Sequence, residues 1–246
     1  MEIEDGSRLI HTVMAQGDEN AMYDILRKHH KHLVNMLYDI IRCNNVESPV
    51  HIQYVQQYTR ILAETYAKIF PRARMTAKKI DMIVDAAGLH DIGKLAISDA
   101  VLSRTGKLSE AEMEIMKEHT VKGYQIVKVL TEYEPEDYRR ICCNVCLYHH
   151  EKYDGTGYPN KVKKDRIPLE AQLVGLADMY DALIHSTVNR QVCSNEQAYY
   201  MLVNGQCGRL SPRIRECLEA GRDALEAYTV DDFAQAGEER SDNELE

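Results

Sequence analysis

Histidine and aspartate residues occur along this chain in turns and on apolar helix faces, where polar side chains need a partner. The adjacent pair His90 and Asp91 lies in the string AAGLHDIGK, at the predicted end of a helix. A carboxylate has two oxygens and can bridge two cations, while an imidazole binds one of them. Alone, an HD dipeptide is more often a helix-end pair without a ligand, so its neighbours decide its meaning.

Further metal-ligand residue types lie at spacings that suit such a site. Glu47 and His51 are four residues apart and share a helix face if the turn between them leads directly into the helix. The doublet His149 and His150 precedes a glycine-rich loop, and Asp178 lies in the mostly apolar string VGLADMYDAL. An unpaired buried carboxylate is strongly destabilising, which predicts a partner for Asp178. Imidazole with carboxylate suits Fe, Mn, Zn or Ni better than Ca or Mg alone.

Some of the other polar residues have simpler explanations when each is taken alone. A single histidine on an amphipathic helix, such as His119, is more often a core residue than a ligand, and His185 is predicted to be structural or exposed. Cys142, Cys143 and Cys146 have a zinc-like spacing but no second CxxC at the right distance, so they are predicted to pack as small hydrophobes. The string RKHHKH is predicted to be a solvated helix face.

Three strings together resemble the HD-GYP family of bacterial HD hydrolases. They are HDIGK at 90–94, HHEKYDGTGYP at 149–159 and ADMYDAL at 177–183. The family members are known as cyclic di-GMP phosphodiesterases. The resemblance, over roughly Glu47 to Leu218, therefore implies an all-α HD-domain helical bundle. It also implies hydrolysis of a cyclic dinucleotide, first of all cyclic di-GMP, to a linear dinucleotide or a mononucleotide.

The resemblance also implies a role for each matching residue. Asp91 corresponds to the bridging carboxylate, and Glu47 to an extra carboxylate of members that bind three metal ions instead of two. Lys94 corresponds to a lysine that contacts the scissile phosphate or the attacking water. The implied metal ligands are Glu47, His51, His90, Asp91, His119, His149, His150 and Asp178. The implied substrate contacts are Lys94, Arg190, Gly155, Gly157, Tyr158 and Pro159.

The mechanism implied by this site needs no nucleophilic Ser or Cys. Two cations hold a bridging water and lower its pKa toward neutrality, and the resulting hydroxide attacks phosphorus in line. The metals and Lys94 neutralise the charge that develops on the phosphate. Two or three divalent ions per chain are expected, Fe or Mn before Zn, Ni or Mg.

The chain departs from the family pattern after DMYDAL, where the family usually carries Arg-Pro-Tyr. Thr187, Val188 and Asn189 occupy these positions, and Arg190 matches the basic position that follows. The lost arginine contacts substrate in the family, so the change bears on ligand choice and not on the metals. Two alternatives stay open. One is a phosphohydrolase for another cyclic dinucleotide or a nucleotide phosphate, and the other is a non-catalytic module that binds a dinucleotide or a protein.

Helical periodicity dominates the sequence and predicts the elements that carry these residues. Ser109 and Glu112 form a predicted capping box. Helices are predicted over 19–43, 50–70, 77–90, 110–130, 135–150, 168–185, 195–203 and 212–227. The predicted domains are an N-terminal helical segment at 1–46, an HD-GYP catalytic domain at 47–228 and an acidic, solvated and disordered tail at 229–246. The N-terminal segment is a helical cap or a dimerisation element, which predicts a homodimer.

Composition limits the class of protein and its partners. The 246 residues include seven cysteines, an odd number that favours a reduced protein over a disulfide framework. No run of about 18 apolar residues occurs, and the acidic N-terminus lacks a signal core, so a cytoplasmic protein without a membrane span is predicted. A net charge of −9 argues against nucleic-acid polymers and anionic membranes as partners. Bound divalent cations would still allow a small anionic substrate.

Overall fold

The computed structural model describes residue 32 and residues 35–41, 48–104, 106–185 and 192–228. The chain divides into two compact units, Met1–Val46 and Glu47–Glu246. In the first unit the described residues are residue 32 and a helical stretch over 35–41. The described part of the second unit holds nine α-helices: α1 (Pro49–Ile69), α2 (Ala77–Ala87), α3 (Asp99–Leu102), α4 (Glu110–Lys117), α5 (His119–Leu130), α6 (Glu136–Tyr148), α7 (Leu169–Ile184), α8 (Asn195–Val203) and α9 (Pro212–Ala227).

Three of the connections contain a 3₁₀ segment, at Pro71–Ala73, Ile92–Ala96 and Lys164–Arg166. The described ranges contain no β-strand, which confirms the all-α class. None of the described helices is both long and apolar enough to cross a membrane.

Helix starts follow the capping residues in the sequence. The side chain of Ser109 accepts a hydrogen bond from the Glu112 N–H at 3.3 Å, and the Glu112 carboxylate accepts from the Ser109 N–H at 2.7 Å. The predicted capping box at the start of α4 is therefore confirmed, and Ser194 with Gln197 forms a second one before α8. Pro49 lies in the first turn of α1, where its missing N–H is not needed.

The core forms around α1 and α7. Helix α1 packs against α2, α7 and α9, while α7 also packs against α6, and α6 packs against α5. Helix α7 is apolar around most of its circumference, which explains why so much of it is inaccessible to solvent. Its fully buried side chains include Leu173, Val174, Leu176 and Ala177. This arrangement brings one face of α1 and one face of α7 close to the ends of α2 and α6 and the start of α5.

The predicted helix from Ser109 to Leu130 is wrong in one respect, because it is interrupted at Glu118 and forms α4 and α5. Two side chains hydrogen-bond to carbonyl oxygens at the end of α4. Nδ1 of His119 lies 2.7 Å from the Met116 carbonyl oxygen, and the Thr120 hydroxyl donates to that of Lys117 at 3.0 Å. His119 is therefore the first residue of α5 and does not lie inside a longer helix.

Helix α2 ends three residues earlier than predicted, at Ala87. The chain turns through His90 and Asp91 into the 3₁₀ segment Ile92–Ala96, which packs on α5. Gly93 makes this contact possible, because a Cβ at this position would overlap the carbonyl oxygen of His119. The HD pair is thus held in a turn between two packed elements.

The remaining predicted helices agree with the structure where it describes them. Those predicted over 50–70, 135–150 and 168–185 correspond to α1, α6 and α7, with ends that differ by at most two residues. Those over 195–203 and 212–227 correspond to α8 and α9. Most of the predicted first helix and the acidic tail lie outside the described residues.

Candidate metal centre

Seven of the eight predicted metal ligands meet in one region, although they come from five places in the chain. His51 lies on α1 and Asp178 on α7, and the others lie in or beside the turns at the ends of α2, α4 and α6. Their ligand atoms form two groups, and within each group all ligand atoms lie within 4.8 Å of one another. The groups are Asp91 with His119, His149 and His150, and His51 with His90 and Asp178.

Asp91 connects the two groups. Its Oδ1 lies 3.0 Å from His119 Nε2 and 3.7 Å from His149 Nε2. Its Oδ2 lies 3.3 Å from His90 Nε2 and 2.7 Å from Lys94 Nζ. One oxygen of the carboxylate therefore faces each group, as a carboxylate that bridges two cations must.

The group of His51, His90 and Asp178 is the more open of the two. Oδ1 of Asp178 lies 3.7 Å from His51 Nε2 and 3.9 Å from His90 Nε2. The side chains of His51 and Asp178 are 17% and 15% exposed, whereas that of His90 is 1% exposed. A ligand from solvent can therefore reach this side of the site.

The rings of three histidines are oriented by backbone carbonyl oxygens. The pairs are His90 Nδ1 with Ala87 (2.8 Å), His119 Nδ1 with Met116 (2.7 Å) and His149 Nδ1 with Val145 (2.9 Å). A carbonyl oxygen only accepts, so we assign the hydrogen to Nδ1 and the lone pair of each neutral ring to Nε2. Nε2 of His119 and Nε2 of His149, 3.4 Å apart, are then two acceptors that face the Asp91 carboxylate. A cation bound between these acceptors would remove their mutual repulsion, and the hydrogen bonds at Nδ1 hold the rings in the orientation that it needs.

Burial and charge keep these groups in the protonation states that bind metal. Burial lowers the pKa of His149 and lowers that of His150 more strongly, which favours neutral rings. Burial acts to raise the pKa of Asp91, but the Lys94 ammonium beside it holds this pKa well below its usual range. His149 and His150 as neutral imidazoles and Asp91 as an ionised carboxylate are donors that fit Fe, Mn, Zn or Ni.

A third carboxylate, Asp181, lies behind His51 and was not among the predicted site residues. Its Oδ2 lies 2.6 Å from His51 Nδ1, and its Oδ1 lies 2.8 Å from Nδ1 of His185. The signal was present in the sequence, because Asp181 follows Asp178 by three residues and shares its helix face. His185, predicted to be structural or exposed, is connected to the site through Asp181.

The glutamate of the HHE string fastens the loop that follows α6. Oε1 of Glu151 accepts from the Asn160 N–H at 2.8 Å, and Oε2 accepts from the Val162 N–H at 3.1 Å. Its side chain is buried and is not a member of either ligand group. Glu151 therefore shapes the loop around Gly155, whose φ of 82° is in the left-handed region that favours glycine.

Tyr158 brings the end of this loop to the ligands. Its ring centroid lies 4.7 Å from that of His150 and 6.3 Å from that of His119. Lys117 Nζ lies 5.7 Å from the same tyrosine ring. Burial raises the pKa of Tyr158, so its hydroxyl keeps the proton that it could donate to a bound anion. Gly157 and Pro159 flank Tyr158, and the substrate contacts predicted for the loop stay predictions.

Other sequence-based predictions lie outside the described residues or concern residues away from the site. Glu47, Thr187 and Arg190 lie outside the described ranges, so the third metal site and the arginine contact stay predictions. Cys142 and Cys146 are buried free thiols, in agreement with the packing role predicted for them. Cys146 Sγ donates to the Leu89 carbonyl oxygen at 3.3 Å and so helps to hold the turn before His90.

Comparison with known proteins identifies relatives of this sequence. A family model described as HD domain matches residues 20–214. A cyclic di-GMP phosphodiesterase of Vibrio cholerae is 37% identical over 177 residues, which are 71% of this chain and 36% of that protein. A 3'3'-cGAMP-specific phosphodiesterase 2 of the same organism is 32% identical over 199 residues, or 81% of this chain and 36% of that protein. The chain thus spans about a third of the length of these curated relatives.

A solved structure has the same fold. The HDG"Y"P protein Bd1817 from Bdellovibrio bacteriovorus matches with a TM-score of 0.55 and 18% identity, over 91% of this chain and 70% of that one. At this level of identity the match concerns the helical architecture, and it agrees with the all-α bundle described above.

Proposed function

This chain belongs to the HD domain family, in its HD-GYP group, and from that premise we propose that it is a metal-dependent phosphodiesterase for a cyclic dinucleotide. Cyclic di-GMP is the first substrate to test. One observation carries the proposal: each oxygen of the Asp91 carboxylate faces a different group of imidazole ligands. A site for two adjacent cations is the arrangement used for in-line displacement at phosphorus.

The proposed metal ligands are the seven residues of the two groups. Fe or Mn is proposed first for the metals, with Zn, Ni or Mg after them, and the mixed imidazole and carboxylate donors are compatible with these transition metals. Glu47 is proposed as an additional ligand that allows a third ion. When bound, the ions would supply Lewis-acid activation of the phosphate and of the attacking water.

The protein's own side chains would bind the phosphate and stabilise its charge. Lys94 Nζ is in contact with Asp91 Oδ2, and its side chain is 21% exposed, so it reaches from the ligands toward solvent. An ammonium at this place would neutralise charge that develops on the phosphate oxygens. The protonated hydroxyl of Tyr158, beside His150, is a second donor for the same oxygens. Lys117, above the Tyr158 ring, adds positive charge at the edge of the site.

The identity of the dinucleotide is the finer part of the proposal. The two relatives described above differ in substrate, since one is named for cyclic di-GMP and the other for 3'3'-cGAMP. Thr187 stands where the family carries a substrate-contacting arginine, and Thr cannot make the paired, charge-assisted bonds of a guanidinium. Both dinucleotides therefore belong in the test, with Arg190 as the proposed compensating contact.

The proposal is tested by a hydrolysis panel. The chain is loaded anaerobically with Mn²⁺ or Fe²⁺ and incubated with cyclic di-GMP, 3'3'-cGAMP, cyclic di-AMP and GTP, and the products are separated by chromatography. We expect cleavage of a cyclic dinucleotide by the wild type and by the surface control His32→Ala, and none by Asp91→Asn. Metal-loaded wild type that binds a dinucleotide without cleaving any would support the non-catalytic module. Cleavage of GTP alone would support a nucleotide phosphohydrolase.

A further inference from the structure

His51 differs from the other imidazoles whose rings are oriented by hydrogen bonds in the kind of oxygen that faces its Nδ1 atom. The Nδ1 atoms of His90, His119 and His149 face neutral backbone carbonyl oxygens, whereas His51 Nδ1 faces the Asp181 carboxylate at 2.6 Å. A carboxylate acceptor makes a stronger, charge-assisted hydrogen bond and increases electron donation from Nε2 of the same ring. The metal affinity of the His51 group should therefore depend on Asp181.

Asp181 is itself held from a second side. Its Oδ1 lies 2.8 Å from Nδ1 of His185, and its side chain is 5% exposed. The His185 ring stacks on Tyr54, with centroids 4.0 Å apart and an interplanar angle of 21°. Each carboxylate oxygen thus has its own imidazole partner, so Asp181 is fixed facing His51 and is not a member of either ligand group.

The position of Asp181 on α7 gives this arrangement a direct connection to the ligands. Asp181 and Asp178 are three residues apart, and Asp178 Oδ1 lies 3.7 Å from Nε2 of the same His51 ring. One turn of α7 therefore contacts both nitrogens of His51, with a proposed ligand at one end and an orienting carboxylate at the other. This pairing distinguishes Asp181 from a buried ion pair that only stabilises the fold.

We propose that Asp181 is a positioning residue that sets the metal affinity of the group His51, His90 and Asp178, and that His185 keeps Asp181 in place. The inference rests on the proposed metal centre but not on the identity of the dinucleotide. It assigns no direct contact between Asp181 and the metal or the substrate.

The test is a Mn²⁺ titration of metal-free protein, followed by electron paramagnetic resonance and compared with His51→Ala, which defines the ion bound by this group. Asp181→Asn keeps the size of the side chain and an acceptor for His51 but removes the charge. We expect it to weaken the binding of this ion by about 10- to 100-fold. The affinity for the other ion, at Asp91, His119, His149 and His150, should stay unchanged. His185→Phe keeps a ring to stack on Tyr54 and should weaken the binding of the same ion by a smaller factor.

Glu170→Gln is the matched control, because Glu170 is another buried carboxylate on α7 and accepts from Asn144 Nδ2 at 2.7 Å. It should lower the thermal unfolding midpoint and leave both metal affinities unchanged. The inference would be overturned if folded Asp181→Asn protein bound both ions with wild-type affinity. It would also be overturned if the affinities for both ions fell equally. If Asp181→Asn does not fold, an unchanged affinity in His185→Phe overturns it. Wild type that binds no metal would instead contradict the proposed function.

Discussion

Lys94 Nζ lies 2.7 Å from Asp91 Oδ2, the oxygen that also faces His90, while the other oxygen of the same carboxylate faces His119. The two residues are three apart in the HDIGK turn, so the sequence places a fixed cation beside the proposed bridging ligand. The Asp91 side chain is 8% exposed and that of Lys94 is 21% exposed. Lys94 can therefore contact both the buried ligand and an incoming phosphate.

Removal of the Lys94 charge should impair turnover more than metal binding. We expect Lys94→Met to lower kcat by about 10²- to 10³-fold, because a donor that stabilises transition-state charge is lost. Metal content should stay close to that of the wild type, since the ligands remain. Hydrolysis rates and elemental analysis check this, with Lys94→Arg as the charge-conserving control. Unchanged kcat in Lys94→Met would show that this ammonium does not act on the phosphate.

Substitution of Glu151 should loosen the loop without removing a ligand. In Glu151→Gln one of the two oxygens that accept from Asn160 and Val162 is replaced by an NH₂ group that faces an N–H. Leaving a buried donor unsatisfied costs about 1–3 kcal/mol. We expect faster proteolysis within 152–162, lower turnover and unchanged metal content. Loss of metal from this variant would instead indicate that Glu151 takes part in binding it.

Substrate choice should respond to the residue at position 187. Losing an arginine contact of this kind costs roughly 1.5–3 kcal/mol, or about ten- to a hundredfold in affinity. We therefore expect slow or weak hydrolysis of cyclic di-GMP by the wild type, faster or tighter hydrolysis by Thr187→Arg, and weaker binding with intact metals in Arg190→Ala. KM and kcat for cyclic di-GMP and 3'3'-cGAMP test this. Efficient wild-type cleavage of cyclic di-GMP that Thr187→Arg does not change would make the missing arginine irrelevant.

A buried thiol should make the stability of the fold decrease at alkaline pH. Cys217 is fully buried and donates to the Leu62 carbonyl oxygen at 3.0 Å, and burial raises its pKa from 9.0 to about 12. Because the folded pKa is raised, the contribution of the neutral thiol is complete below pH 9 and is lost as the pH rises toward 12. The difference in unfolding free energy between the wild type and Cys217→Ala should shrink by roughly 1.4 kcal/mol per pH unit in this window. Denaturant titrations at pH 7, 9, 10 and 11 measure it, and a constant difference would contradict the assignment.

The sequence predicted the helices better than the details of the site. Ser109 and Pro212 mark helix starts by local chemistry, so α4 and α9 begin where predicted, whereas α1 begins at Pro49, one residue before its predicted start. The break at Glu118 depends on side-chain bonds from His119 and Thr120 to α4, which no helical periodicity reveals.

Predictions about the site residues were limited in the same way. Spacing and family resemblance predicted which residues are ligands. The direction of each Asp91 oxygen, however, depends on how the turn after α2 packs against α5. The spacing of Asp181 from Asp178 indicates a shared helix face, but its role depends on a contact with His51, 130 positions away in the sequence, which the spacing does not reveal. Local sequence patterns thus indicate which residue types bind metal, whereas tertiary packing decides what orients them.

The most direct test of the proposed centre is the metal content of three proteins purified without chelator. We expect two or three ions per chain in the wild type, most of them lost in Asp91→Ala, and only the ion of one group lost in His51→Ala. The physical reason is that, among the residues that the structure describes, Asp91 is the ligand whose two oxygens face different groups. Asp91→Ala protein that keeps the full metal content and full turnover would contradict the claim that this carboxylate joins the two groups into one centre.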